Sequence, residues 1–144
     1  FALVLSACGS GDGNGEKAKN QSSDSKSESG LTEFQMKHGI GPVTEPIKLD
    51  DEIDEEMAER GKEVFRTKCS ACHKMDSRYV GPQLGDVTEK RTPAYIVNMI
   101  MNPVEMTKKH PEAKAMLQEY MNQMTYQNVK QEDARAIVEY LRTQ

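Results

Sequence analysis

Three observations predict an all-α fold. Apolar residues recur at helical spacing in several stretches of the 144-residue chain. Prolines and acidic residues stand where such stretches would begin. No segment shows the apolar–polar alternation of a strand.

The first helix is expected over 50–68. Asp50 or Asp51 can cap it, and Glu52, Asp54, Glu55 and Glu56 suit the positive end of a helix dipole. Ile53, Met57, Val64 and Phe65 fall on roughly one face, and the helix runs into Cys69. A second helix is expected over 93–101, opening at Pro93 with Ile96, Val97, Ile100 and Met101 inward. A third is expected over 111–123. The last, over 131–142, has Ala134, Ile137, Val138 and Leu141 as its stripe, Tyr140 beside it and Arg142 in its last turn.

The N-terminal third reads differently. Phe1-Ala2-Leu3-Val4-Leu5 is apolar and looks like the tail of a signal peptide. Leu5-Ser6-Ala7-Cys8 resembles a bacterial lipobox, which implies lipid on Cys8. An ordinary cleavable signal with an incidental cysteine, or a buried apolar strand, are the other readings. From Gly9 to about Gly30 the chain is almost entirely Gly, Ser, Asn, Lys, Asp and Glu, with no large apolar side chain to bury, so a flexible tether is expected. Residues 31–48 are mixed; Gly39, Gly41, Pro42 and Pro46 interrupt any regular element. Phe34, Met36, Ile40, Val43 and Ile47 are placed along the folded domain. The organisation expected is a signal remnant at 1–7, a lipidated cysteine and linker at 8–49, and a folded domain at 50–144. A coil of about 40 residues reaches about 35 Å. No run approaches the roughly 18 apolar residues of a membrane-spanning helix. The net charge of −4 argues against a nucleic-acid partner.

Cys69-Ser70-Ala71-Cys72-His73 carries the chemistry. Two cysteines three apart, followed at once by histidine, read as a covalent attachment site for haem c. The thiols add to two vinyl groups on one porphyrin edge, and His73 fills an axial position on the iron. Zinc would want four ligands, and the chain has no second cysteine pair. A dithiol redox pair would want strand–helix alternation around it. Both stay open as lesser readings.

With these residues in view, the chain resembles a class I, monohaem cytochrome c over roughly residues 53–142. Gly61 and Phe65 match the family's N-terminal helix, and Ile137 and Tyr140 match its C-terminal helix. The resemblance implies small helices wrapped on one covalent haem, with the two terminal helices crossing at the glycine. Val80-Gly81-Pro82-Gln83-Leu84 resembles the loop whose proline carbonyl accepts from the axial histidine, a role that falls on Pro82. A simple turn is the plainer reading. The family places its axial methionine in a loop before the last helix, where Met124 stands. Thr125 stands where the family usually has proline, and Met121 is the main rival. Another methionine, His38, His110 or an open site also remain. Met99, Met101, Met106 and Met116 are read as core or haem contacts. His110 is read as a solvated helix-start residue, and Tyr79, Tyr95 and Tyr126 mainly as packing.

The family implies electron transfer rather than enzymatic turnover. A His73–Met124 iron has no free position, and thioether sulfur favours the ferrous state. The expected protein is a lipid-anchored carrier on the periplasmic side of a bacterial membrane. It would pass single electrons from a quinol-oxidising complex to a terminal oxidase or reductase. The methionine-rich 92–126 region is similar to small cytochromes found beside nitrous oxide reductase. Lys62, Lys68, Lys74, Arg78, Lys90, Arg91, Lys108 and Lys109 are candidates for a basic docking ring. The alternative is a haem-based sensor or ligand-binding module with a labile or open sixth site. An enzyme such as a peroxidase would need a distal base, and no His–Arg arrangement suggests one.

Overall fold

The computed structural model describes residues 29–144. The lipobox-like stretch and Cys8 lie outside them. Every regular element among the described residues is a helix: α1 Glu33–His38, α2 Glu55–Lys68, α3 Val87–Lys90, α4 Pro93–Met101, α5 Pro103–Lys109, α6 Pro111–Tyr120 and α7 Gln131–Arg142. The all-α expectation holds, and the bounds of α4 and α7 are those read from the sequence.

α2 starts later than expected because Asp54, not Asp50 or Asp51, is its cap; the Asp54 carboxylate accepts from Met57 N–H at 2.9 Å. Asp50 and Asp51 instead meet the last turn of α7. Their carbonyls accept from Arg142 Nη2 at 2.8 and 3.2 Å. Arg142 also pairs with Glu139 at 2.7 Å, as does Arg135. Glu139 is only 2% exposed, so two guanidiniums are what make its burial tolerable.

α2 and α7 cross at Gly61. A Cβ there would lie 2.0 Å from the Ala136 carbonyl oxygen. Only a glycine lets the two backbones come this close. Phe65 and Tyr140 pack beside the crossing with ring centroids 5.4 Å apart. The main core joins Phe65 of α2, Ala94, Val97 and Ile100 of α4, and Ile137, Val138 and Leu141 of α7.

The segment ahead of α2 is fastened to the body by side chains. α1 forms before Gly39 because Thr32 and Gln35 make a reciprocal capping box. Asn98, fully buried, accepts from Val43 N–H and donates to the carbonyls of His38 and Val43, all at 3.0 Å. Asn102 Nδ2 donates to the Ile40 carbonyl at 3.1 Å. Leu31 and Val43 are both buried.

α1, α3 and α5 were not expected. Each is too short to show a helical period. Asn102 both ends α4 and precedes α5, whose first turn is opened by Pro103. α6 stops at Tyr120, short of the expected 123, because Met121 turns into the left-handed region at φ 50°.

Candidate functional site

The Cys69–His73 stretch is a tight turn at the end of α2. Cys69 closes the helix, its N–H donating to the Phe65 carbonyl. The N–H groups of Cys72 and His73 then both donate to the Cys69 carbonyl at 3.0 Å. One turn therefore presents two thiols and one imidazole. No disulfide joins the two cysteines; Cys69 is half-buried and Cys72 exposed. Burial pushes the Cys69 thiol up to about 11, with Cys72 adding and Lys68 opposing.

The following loop fastens onto that turn. Gly81 N–H donates to the Cys72 carbonyl at 2.9 Å, Leu84 N–H to Lys74 at 2.9 Å and Gly85 N–H to Met75 at 2.9 Å. This brings the Pro82 carbonyl to 3.0 Å from His73 Nδ1. With Nδ1–H donating there, the Nε2 lone pair is left free for a metal. Gly81 lies against the ring: a Cβ on it would come 2.6 Å from His73 Cε1. The loop thus sets both the tautomer and the attitude of the imidazole. The donor set of two thiols, one oriented imidazole and a thioether loop suits covalent haem c. Among the described residues, no group of three His, Cys, Asp or Glu is arranged to hold a metal, as a zinc site would need.

Residues 121–130 form the second loop and contain no regular element. Met121 caps α6 and is 89% exposed, whereas Met124 is half-buried. Gln123 Nε2 donates to the Met124 carbonyl at 2.9 Å, and Lys68 Nζ donates to the Gln127 carbonyl at 3.0 Å. The latter bond fastens the loop to the last turn of α2, one residue before Cys69. Val129, 1% exposed, anchors the loop's far end in the core.

The other candidate ligands are engaged elsewhere. His38 is stacked on Phe34, and its Nδ1 lies 2.9 Å from Thr92 Oγ1. His110 is not the solvated residue expected. It is fully buried, with Nε2 3.0 Å from the Met36 carbonyl and its ring edge-on to Tyr95. It is drawn inside because it fastens α1 to the α5–α6 corner. Met106 is fully buried and receives Ile40 N–H on its sulfur at 3.0 Å. Met99 and Met116 pack beside it, and Met101 packs on the main core. Tyr95 is 3% exposed; Tyr79 and Tyr126 are 59% and 51% exposed, not packed inside.

The expected basic ring is mostly neutralised. Lys62 pairs with Glu59, Arg78 with Glu119, Lys90 with Asp86, Arg91 with Glu112, and Lys108 and Lys109 with Glu105. Lys68 and Lys74 instead donate to backbone carbonyls, those of Gln127 and Ser70. Lys68, Gln123 and Gly81 thus shape the two loops. Sequence reasoning assigned none of the three that role, because each acts through a partner distant in the chain or through a missing Cβ.

Comparison with known proteins agrees with this geometry. The family described as Cytochrome c matches residues 58–144. The fold is similar to the cytochrome c of Rhodothermus marinus, with a TM-score of 0.72 and 44% identity over 76% of this chain and 94% of that one. It is also similar to an engineered form of that cytochrome bound to a carbene intermediate (TM-score 0.69, 43% identity, 76% and 95% coverage). A cytochrome c-553-like protein of Synechocystis is 28% identical over 69 residues, 44% of this chain and 66% of that relative's length. A glycine-mediated crossing of the terminal helices, a thiol-thiol-imidazole turn and these matches lead to one conclusion: the chain belongs to the cytochrome c family, as a class I monohaem protein of electron transfer that carries covalent haem c.

Proposed function

We propose that this cytochrome is a closed, six-coordinate carrier of single electrons and not an enzyme. Cys69 and Cys72 hold the haem, His73 is the fifth ligand and Met124 the sixth. When bound, the haem supplies an iron that takes up one electron to become ferrous and releases it to return to ferric. The protein's part is to keep both axial side chains in place through that change. The observation that carries this reading is the Pro82 carbonyl on His73 Nδ1, at 3.0 Å. A hydrogen bond there holds the imidazole as a strong, fixed donor. The half-burial of Met124 supports it over Met121, whose side chain is in solvent.

Electrons pass during brief docking at the surface near the two loops. Weak redox encounters need only a small interface. Tyr79, Tyr126 and Met121 supply exposed apolar area, and Lys68 and Lys74 supply charge without a carboxylate partner. An acidic partner face would complement them. The partners in this reading are a quinol-oxidising complex on one side and a terminal oxidase or reductase, including nitrous oxide reductase, on the other. Cys8 carries lipid and holds the domain at the periplasmic side of a bacterial membrane. Each buried acyl methylene contributes about 0.8 kcal/mol to that anchoring.

Carbon monoxide separates this reading from a ligand-binding module. The ferrous holoprotein is expected to leave carbon monoxide unbound at neutral pH. Rapid stoichiometric binding would move the sensor reading ahead.

A further inference from the structure

We propose that Gln123 is the positioning residue of the sixth ligand, acting as a bridge from α5 to the backbone of Met124. Its side-chain amide is used at both ends. Nε2 donates to the Met124 carbonyl at 2.9 Å, and Oε1 lies 2.9 Å from the Thr107 hydroxyl. A carbonyl can only accept, so Nε2 must face Met124 and Oε1 must face Thr107. The single Thr107 proton has three acceptors in range: Gln123 Oε1 and the Pro103 carbonyl, both at 2.9 Å, and the Val104 carbonyl at 3.1 Å.

The post to which this bridge is tied does not move easily. Thr107 is 4% exposed, and on the same short helix Pro103 and Met106 are buried. Met106 receives the Ile40 N–H, and His110, at the helix end, reaches the Met36 carbonyl. The loop itself has little of its own to fix it. Its residues form no regular element, and two of them, Met121 and Asn128, take positive φ. Without the amide, the Met124 backbone would lose its tie to α5. The sulfur would then leave the iron more often, exposing an open position to competing ligands.

The inference rests on Met124 being the sixth ligand, and the experiment separates the two. Imidazole is titrated into the ferric holoprotein of wild type, Gln123→Ala, Gln123→Glu and Met124→Ala, and the thermal midpoint of each is recorded. One hydrogen bond of ordinary net strength corresponds to about a fivefold change in an equilibrium. Gln123→Ala is therefore expected to bind imidazole about fivefold tighter, with its thermal midpoint lowered by no more than the few degrees that one such hydrogen bond accounts for. Gln123→Glu keeps the shape and the Thr107 acceptor but sets a carboxylate oxygen against the Met124 carbonyl. It is expected to bind at least as tightly as the alanine variant, whereas a merely space-filling role would return it to wild type. Wild-type affinity in both Gln123 variants, with Met124→Ala opened to imidazole, overturns the bridge and leaves the ligand assignment standing. A Met124→Ala protein that binds imidazole no better than wild type overturns both.

Discussion

His73 and Met124 stand on loops of opposite construction. The His73 side is made of backbone: Cys72, Lys74 and Met75 carbonyls receive the N–H groups of Gly81, Leu84 and Gly85, and the Pro82 carbonyl takes the imidazole. The Met124 side is made of side chains reaching in from elsewhere: Gln123 to Thr107 and Lys68 to Gln127. Backbone bonds between neighbouring loops survive most substitutions. Side-chain ties do not. Fixed geometry is therefore concentrated at the histidine, and the methionine is the end where the site can be loosened.

The largest effect is expected where the rigid side is struck. Gly81→Ala places a Cβ 2.6 Å from a ring held by the Pro82 carbonyl and, in the proposed site, by the iron, so the ring has little room to yield. Overpacking of this kind costs about 1–3 kcal/mol, which denaturant unfolding of the holoprotein would register. An unchanged midpoint would mean that the His73 cradle is softer than its hydrogen bonds imply.

The looser side offers a change of opposite sign. Met121 holds a left-handed conformation at φ 50° with its side chain in solvent. Met121→Gly removes that strain and is expected to stabilise the protein by about 0.5–1 kcal/mol. Loss of stability would show the Met121 side chain to be in use. Smaller still is Lys68→Met, which cuts the tie to Gln127 while keeping the apolar stem. Amide exchange across residues 125–128 is expected to rise about threefold, the low end for one exposed hydrogen bond, with exchange at Gly81 and Leu84 unchanged. Equal acceleration in both loops would erase the distinction between them.

The smallest effect belongs to the N-terminal segment. Burial first, and Lys37 second, hold the His38 imidazole below its ordinary value of 6.5. The unfolded chain therefore takes up a proton that the folded one refuses as pH falls below about 6.5. The stability from neutral His38 is complete above that pH and declines below it. Thermal midpoints measured from pH 7.5 to 5 should fall more for wild type than for His38→Gln; parallel curves would contradict this.

What could be read beforehand follows the same division. Cys69, Cys72 and His73 stand out beforehand because haem attachment calls for that spacing, and the turn at the end of α2 does bring the three together. α4 and α7 are legible because proline or apolar period marks them. Gly61 is legible because a glycine inside a helix has a cost that a close crossing explains. α5 is too short for periodicity, so its service as a post was invisible. His110 looked like a surface residue because its reason for burial, the Met36 carbonyl, lies 74 positions away. Part of the ring's pairing was legible and missed: Lys62, Lys90, Lys108 and Lys109 each stand three or four residues after the carboxylate they meet, whereas Arg78 and Arg91 find theirs 41 and 21 positions away. Met124 could be placed in its loop, but what holds it, a hydroxyl 16 residues before Gln123, had no local signal.

The central claim is a closed His73–Met124 site. Its most direct test is the optical spectrum of the ferric protein in the far red, where a thioether bound to iron gives a weak sulfur-to-iron charge-transfer band. The band is expected in wild type, kept in Met121→Ala and absent in Met124→Ala. A haem spectrum without that band, or a band that disappears with Met121 and not with Met124, would contradict the account.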